Sequence, residues 1–156
     1  MHLVAALVLA ASLLGAEATV LNQQLCMSSE NIRNKHIDEH NALRRKAGLG
    51  ELIYDCKLED KTVEKRNFKK HAGDSFLQFI EFVCSNKSRN HAKTLQCAYD
   101  ELKTNPHAVK LITDPAVTGF ACTEMVVYNK MNIMCVYEGT NWANAADPIF
   151  LTKECR

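Results

Sequence analysis

The stretch HNALRR, residues 40–45, running straight into KAGLG at 46–50, decides how this chain is read. Ser28 or Ser29 offers an N-cap, Ile32, Ile37, Ala42 and Leu43 carry an apolar stripe, and Gly48 and Gly50 break the pattern, so a helix ending before Gly48 is expected. HNALRR is then the polar end of that helix, either a site or an architectural corner. One turn upstream, KHIDEH places His36 and His40 four residues apart, on one helix face. A zinc-protease motif needs Glu beside the first histidine, as H-E-x-x-H, whereas here Glu39 precedes the second. The two imidazoles are therefore expected on a polar, exposed face.

Outward to the N-terminus, MHLVAALVLAASLLGAEA has an apolar run too short for a bilayer and an A-x-A pattern at Ala16 to Ala18. Residues 1–18 read as a secretory signal peptide and 19–156 as a single domain with no later membrane span. A formal charge of +1 excludes electrostatic capture of nucleic acid or of an anionic membrane. Seven cysteines (Cys26, Cys56, Cys84, Cys97, Cys122, Cys135 and Cys155) without a C-x-x-C pair indicate a disulfide framework and not a zinc ribbon. An odd count leaves one thiol free or bridged to a second molecule, which leaves a disulfide-linked dimer open. Asn86-Lys87-Ser88 is a glycosylation sequon.

Toward the C-terminus, the charged segment 55–70 with Leu58, Val63 and Phe68 reads as a mostly exposed helix. FLQFIEFVC (76–84) is apolar at nearly every position, which periodicity alone cannot assign, and a buried helix is the favoured reading. Ala92, Leu95, Ala98, Tyr99 and Leu102 make 91–104 the cleanest amphipathic helix, stopped by Asn105-Pro106. GFACTEMVVY and NIMCVYEG, either side of Asn129-Lys130, read as an antiparallel hairpin, and 140–156 as mostly irregular. Helices first and a hairpin last make an α+β domain.

The order of these features resembles the CAP superfamily: HNxxR on a helix, then LIYDCKLED, then a YDEL helix, a histidine about 15 residues before a cysteine, and Cys135-Val136-Tyr137 followed by Asn141-Trp142. That group includes cysteine-rich secretory, venom allergen-like, pathogenesis-related and SCP/TAPS proteins, and the Cys after Tyr-Asp is most similar to nematode members. The likeness spans about residues 32–142 with blurred motifs. PHAVKLIT stands where the family has G-H-[FY]-T-Q-V-V-W, and CVYEGTN is one residue shorter than C-N-Y-x-P-x-G-N, so the chain resembles a divergent, trimmed member.

The resemblance implies a three-layer αβα sandwich with a small antiparallel sheet, stapled by disulfides. It implies a Cys122 to Cys135 bridge, contributing about 3 kcal/mol by loop-closure entropy; the remaining pairings stay open, with Cys26 to Cys155 as one guess. It also implies a cleft whose metal ligands fall at His71, Glu101 and His107, with Gln78 where the family has a second acid. An amide cannot replace a carboxylate as ligand or base, so at most a weakly bound zinc is expected, and hydrolysis is the least favoured activity. With no G-x-S-x-G elbow and most cysteines oxidised, no nucleophile stands out. The expected function is a secreted, non-enzymatic protein that binds an extracellular protein partner, as a parasite effector or host-modulating protein. The alternative is a carrier of a small apolar ligand such as a sterol or fatty acid. His40, Asn41 and Arg44 then act as architecture, and Arg45 is solvated.

Overall fold

A computed structural model describes residues 26–66, 77–86, 90–139 and 149–155. Residues 1–18, where a signal peptide is expected, His71, and Lys87 and Ser88 of the sequon lie outside the described residues.

The expected first helix forms as α1 (Glu30–Lys46), with Ser29 at the N-cap in extended conformation. Its exit uses Gly48 at φ 72, a left-handed geometry that glycine adopts without steric cost. The turned chain lets Leu49 N–H donate to the Arg44 carbonyl at 2.9 Å. A short strand β1 (Ile53–Tyr54) and a 3-10 turn, Cys56–Leu58, lead into α2 (Glu59–Arg66). This region is less exposed than its charges imply: Leu58, Glu59 and Thr62 are buried. Glu59 is held there by the Tyr54 hydroxyl, which donates to it at 2.7 Å, and by the backbone N–H of Met27 and of Ser28.

FLQFIEFVC is not a helix. Residues Leu77–Asn86 form strand β2, paired antiparallel with β4 (Lys130–Glu138) and parallel with β5 (Ile149–Cys155). Gln78, Ile80, Phe82 and Cys84 make its buried face and Leu77, Phe79 and Val83 lie half-buried on the other, so apolar residues on both faces erase the period-2 signal. β5 also corrects the irregular tail. Its edge position and its charged Lys153 and Glu154 hide the strand character in the sequence.

α3 (His91–Thr104) matches its expected span. Asn105-Pro106 ends it and also starts α4 (Pro106–Ile112), because the Asn105 side chain accepts from the His107 and Ala108 N–H groups and Pro106 sits at the first helical position. β3 (Gly119–Val127) and β4 form the expected hairpin, with Val127 opposite Lys130.

The sheet order is β1-β3-β4-β2-β5, and it is mixed rather than the small antiparallel sheet expected, because both edge strands run parallel to their neighbours. The larger core packs Leu95, Ala98, Tyr99, Leu102, Leu111 and Ile112 of α3 and α4 against Ile80, Phe82, Phe120, Ile133 and Tyr137, with Ile37 and Leu43 of α1 alongside. The opposite face buries Leu58, Ala121 and Val136. That gives the three layers of an α+β sandwich. At the sheet rim Gly139, φ 91, has no room for a side chain, since a Cβ would lie 2.3 Å from the Ala116 carbonyl oxygen.

Cys122 and Cys135 face each other in the β3/β4 register and are bridged. The guess linking Cys26 to Cys155 is wrong: Cys26 pairs with Cys56 and Cys97 with Cys155. The first pins the segment before α1 to the 3-10 turn, and the second pins β5 to α3. Cys84, the free cysteine, is buried in β2, so the odd thiol faces the core.

Candidate functional site

α1 lays its polar face against the sheet, so His36 and His40 are both fully buried, at 0% exposure, and not on an exposed face. Tertiary partners make this affordable. The His40 ring stacks on Phe120, with centroids 4.2 Å apart. Its Nδ1–H donates to the His36 carbonyl at 2.7 Å, and its Nε2 accepts from the Tyr137 hydroxyl at 2.7 Å. Burial pushes the His40 pKa down to about 3, so the ring is neutral and both nitrogens are used. His36 Nδ1 is bonded to the Tyr99 hydroxyl. Burial raises the Tyr99 and Tyr137 pKa values well above 10, keeping both as proton donors.

The other nitrogen of His36 is aimed outward. Nε2 lies 3.3 Å from Glu124 Oε1 on β3, and the second carboxylate oxygen lies 2.8 Å from Nε2 of His91, the first residue of α3. The Glu124 side chain is only 7% exposed and His91 is 45% exposed. Neither the His36 Nε2 nor either Glu124 oxygen is aligned in a hydrogen bond. The sequence showed the histidine spacing in KHIDEH but carried no signal for Glu124 or His91, which reach the cluster from β3 and α3.

Asn41 and Arg44 behave as architecture. The Asn41 amide oxygen accepts from Leu52 N–H at 2.8 Å and its NH2 donates to the Leu52 carbonyl at 3.4 Å, fixing the strand entry. Arg44 donates to the carbonyls of Gly50, Ile112 and Asp114, at 2.6, 3.0 and 3.0 Å, tying α1 to the end of α4. Arg45 is exposed and pairs with Glu51.

Of the residues matched to the family's metal cleft, His71 lies outside the described residues. Glu101 accepts from the Lys153 ammonium at 2.7 Å, which already neutralises the charge a cation would need. His107 is exposed in the first turn of α4, and no hydrogen bond or ion pair joins it to Glu101. Gln78 is buried in β2. Glu101 and His107 by themselves do not make up a ligand set, and His71 lies outside the described residues. His36, Cys122 and Cys135 converge closely enough to enclose an ion, but the sulfurs are spent in the disulfide and offer no thiolate.

The exposed feature is the hairpin tip. Met125, Val126, Val127 and Tyr128 are solvent-facing, Tyr128 at 97% exposure. Met125, Val127 and Tyr128, with Val83, border a groove of about 520 Å³. Tyr128 has φ 55 at the first position of a two-residue turn, a place where glycine is free and an L side chain is strained.

No protein-family model matches the sequence, and no curated protein is significantly similar to it. Solved structures are similar. The Ancylostoma-secreted protein Ac-ASP-7, in a manganese-bound structure, superposes at TM-score 0.67 with 19% identity over 74% of this chain and 72% of its own. NaASP2 with Zn2+ gives 0.57 at 17% identity, over 70% and 80% of the two chains. Schistosoma mansoni venom allergen-like protein 4 gives 0.52 at 13%, over 79% and 95%. The chain thus carries, in divergent form, the CAP fold of venom allergen-like proteins.

Proposed function

We propose that the protein is secreted and acts without catalysis, by presenting the β3/β4 hairpin tip to an extracellular protein, in the manner of a parasite effector or host-modulating factor. The observation that carries this is Tyr128, a large side chain in a glycine conformation and almost wholly in solvent. Such strain is of order 1–3 kcal/mol and brings the folded domain no packing in return, while Tyr is a preferred interface anchor. Val126 and Val127 extend the apolar surface beside it. Three disulfides and fold neighbours that include an Ancylostoma-secreted protein support an oxidising, extracellular setting. No helix among the described residues is long and apolar enough to cross a membrane.

The groove beside the hairpin, with Val83, Met125 and Val127 in its wall, supports a second reading as a carrier of one sterol or fatty acid. One experiment separates them. Mature protein from eukaryotic cells is examined by native mass spectrometry, then used to capture plasma proteins alongside Tyr128→Gly and Val126→Asp. A captured protein whose affinity falls about thirtyfold in both variants, roughly 2 kcal/mol, supports the proposal. Equal capture by all three, or stoichiometric co-purifying lipid with no captured protein, overturns it.

A further inference from the structure

We infer that the cavity bounded by α1, α2 and β3 takes a small organic ammonium ion with an apolar body, its charged nitrogen bound by Glu124. The cavity, of about 350 Å³, shares no lining residue with the groove beside the hairpin. Met27, Ile32, Val63 and Val126 wall it, and Glu124 and His91 are its titratable lining. Apolar walls with a few polar groups that fix orientation are the make-up of a small-molecule site. A carboxylate out of water needs either several hydrogen bonds or a counter-charge. The Glu124 side chain is only 7% exposed, neither of its oxygens has an aligned hydrogen bond, and no Lys or Arg among the described residues pairs with it.

The two imidazoles beside Glu124 do not meet that need. The Tyr99 hydroxyl keeps its proton and donates it to His36 Nδ1, so Nε2 carries the ring's hydrogen and faces Oε1, at 3.3 Å, as a donor without charge. His91 Nε2 lies 2.8 Å from Oε2, but an imidazole is a full counter-charge only when protonated, and this ring is 45% exposed at the start of α3. Turning the His91 ring into solvent opens Oε2 to the cavity. A ligand ammonium then takes the place of Nε2 in a charge-assisted bond shielded from water, and its apolar body lies on Ile32, Val63 and Val126. An anionic headgroup is disfavoured in the same cavity. Glu124 repels it, the N–H groups of Met27 and Ser28 are taken by Glu59, and the Ser28 hydroxyl is taken by the Cys122 carbonyl. The ligand class therefore differs from the sterol or fatty acid considered for the hairpin groove.

The test is calorimetric titration of the mature protein at neutral pH with phenethylamine, and with phenethyl alcohol as an uncharged probe of similar size. One amine per chain is expected, with the alcohol bound at least about tenfold more weakly. Glu124→Gln should weaken amine binding by at least about tenfold, whereas His91→Ala, which removes the competing ring, should leave it undiminished. Glu124→Gln keeps the side-chain volume and near-ultraviolet circular dichroism checks each fold, while the comparison of amine with alcohol needs no variant at all. Absence of amine binding, equal affinity for the two probes, affinity unaltered by Glu124→Gln, or loss of binding in a folded His91→Ala protein would each overturn the assignment.

Discussion

Acid should unfold this domain through His40. In the folded state the ring is neutral, with burial holding its pKa at about 3, against 6.5 for an unconstrained histidine. Below pH 6.5 the unfolded chain takes up a proton that the folded chain refuses, so stability falls with pH between 6.5 and 3, by about 1.36 kcal/mol per unit. From pH 7 to pH 5 that amounts to about 2 kcal/mol. Glu39 acts elsewhere on the scale: burial works to raise its pKa, but Lys103 and Lys35 outweigh it, so its contribution is lost only below the usual carboxylate range. Guanidinium unfolding at pH 7 and pH 5 measures the drop. His40→Gln keeps a neutral donor and acceptor, and its drop should be smaller by about 2 kcal/mol. Equal drops in the two proteins, or a His40 ring resonance titrating near 6.5 in the folded protein, would refute the account.

Three further outcomes follow from the same packing. Asn41→Ala strands the buried Leu52 N–H and should cost about 1–3 kcal/mol in denaturant unfolding, while Arg45→Ala on the exposed pair stays within about 0.5 kcal/mol. Replacing Cys97 and Cys155 together by serine opens a 58-residue separation and should cost about 4 kcal/mol by loop-closure entropy, with amide exchange rising first along β5. Cys84, whose thiol pKa burial and then the Glu101 charge raise to about 11, should resist a thiol reagent at pH 8 in the native protein and react within minutes once denatured.

Local signals determined much of this protein. The caps and glycine exit of α1, the apolar stripe of α3 and the β-branched runs of the hairpin each sit within about fifteen residues, where periodicity and turn chemistry act. HNALRR was legible through its resemblance to a known motif, which implied that Asn41 and Arg44 are architecture, and both bind backbone groups. Tertiary structure alone decided the rest. β2 is a strand because β4 and β5 pair with both its edges, not because of any period in FLQFIEFVC. His36 and His40 are buried because Tyr99, Tyr137 and Phe120, 63 to 97 residues away in the two hydrogen bonds, satisfy them. Glu124 and His91 join His36 only when β3 and α3 close over α1. Burial and partnership are properties of the assembled layers, and no window of sequence contains them.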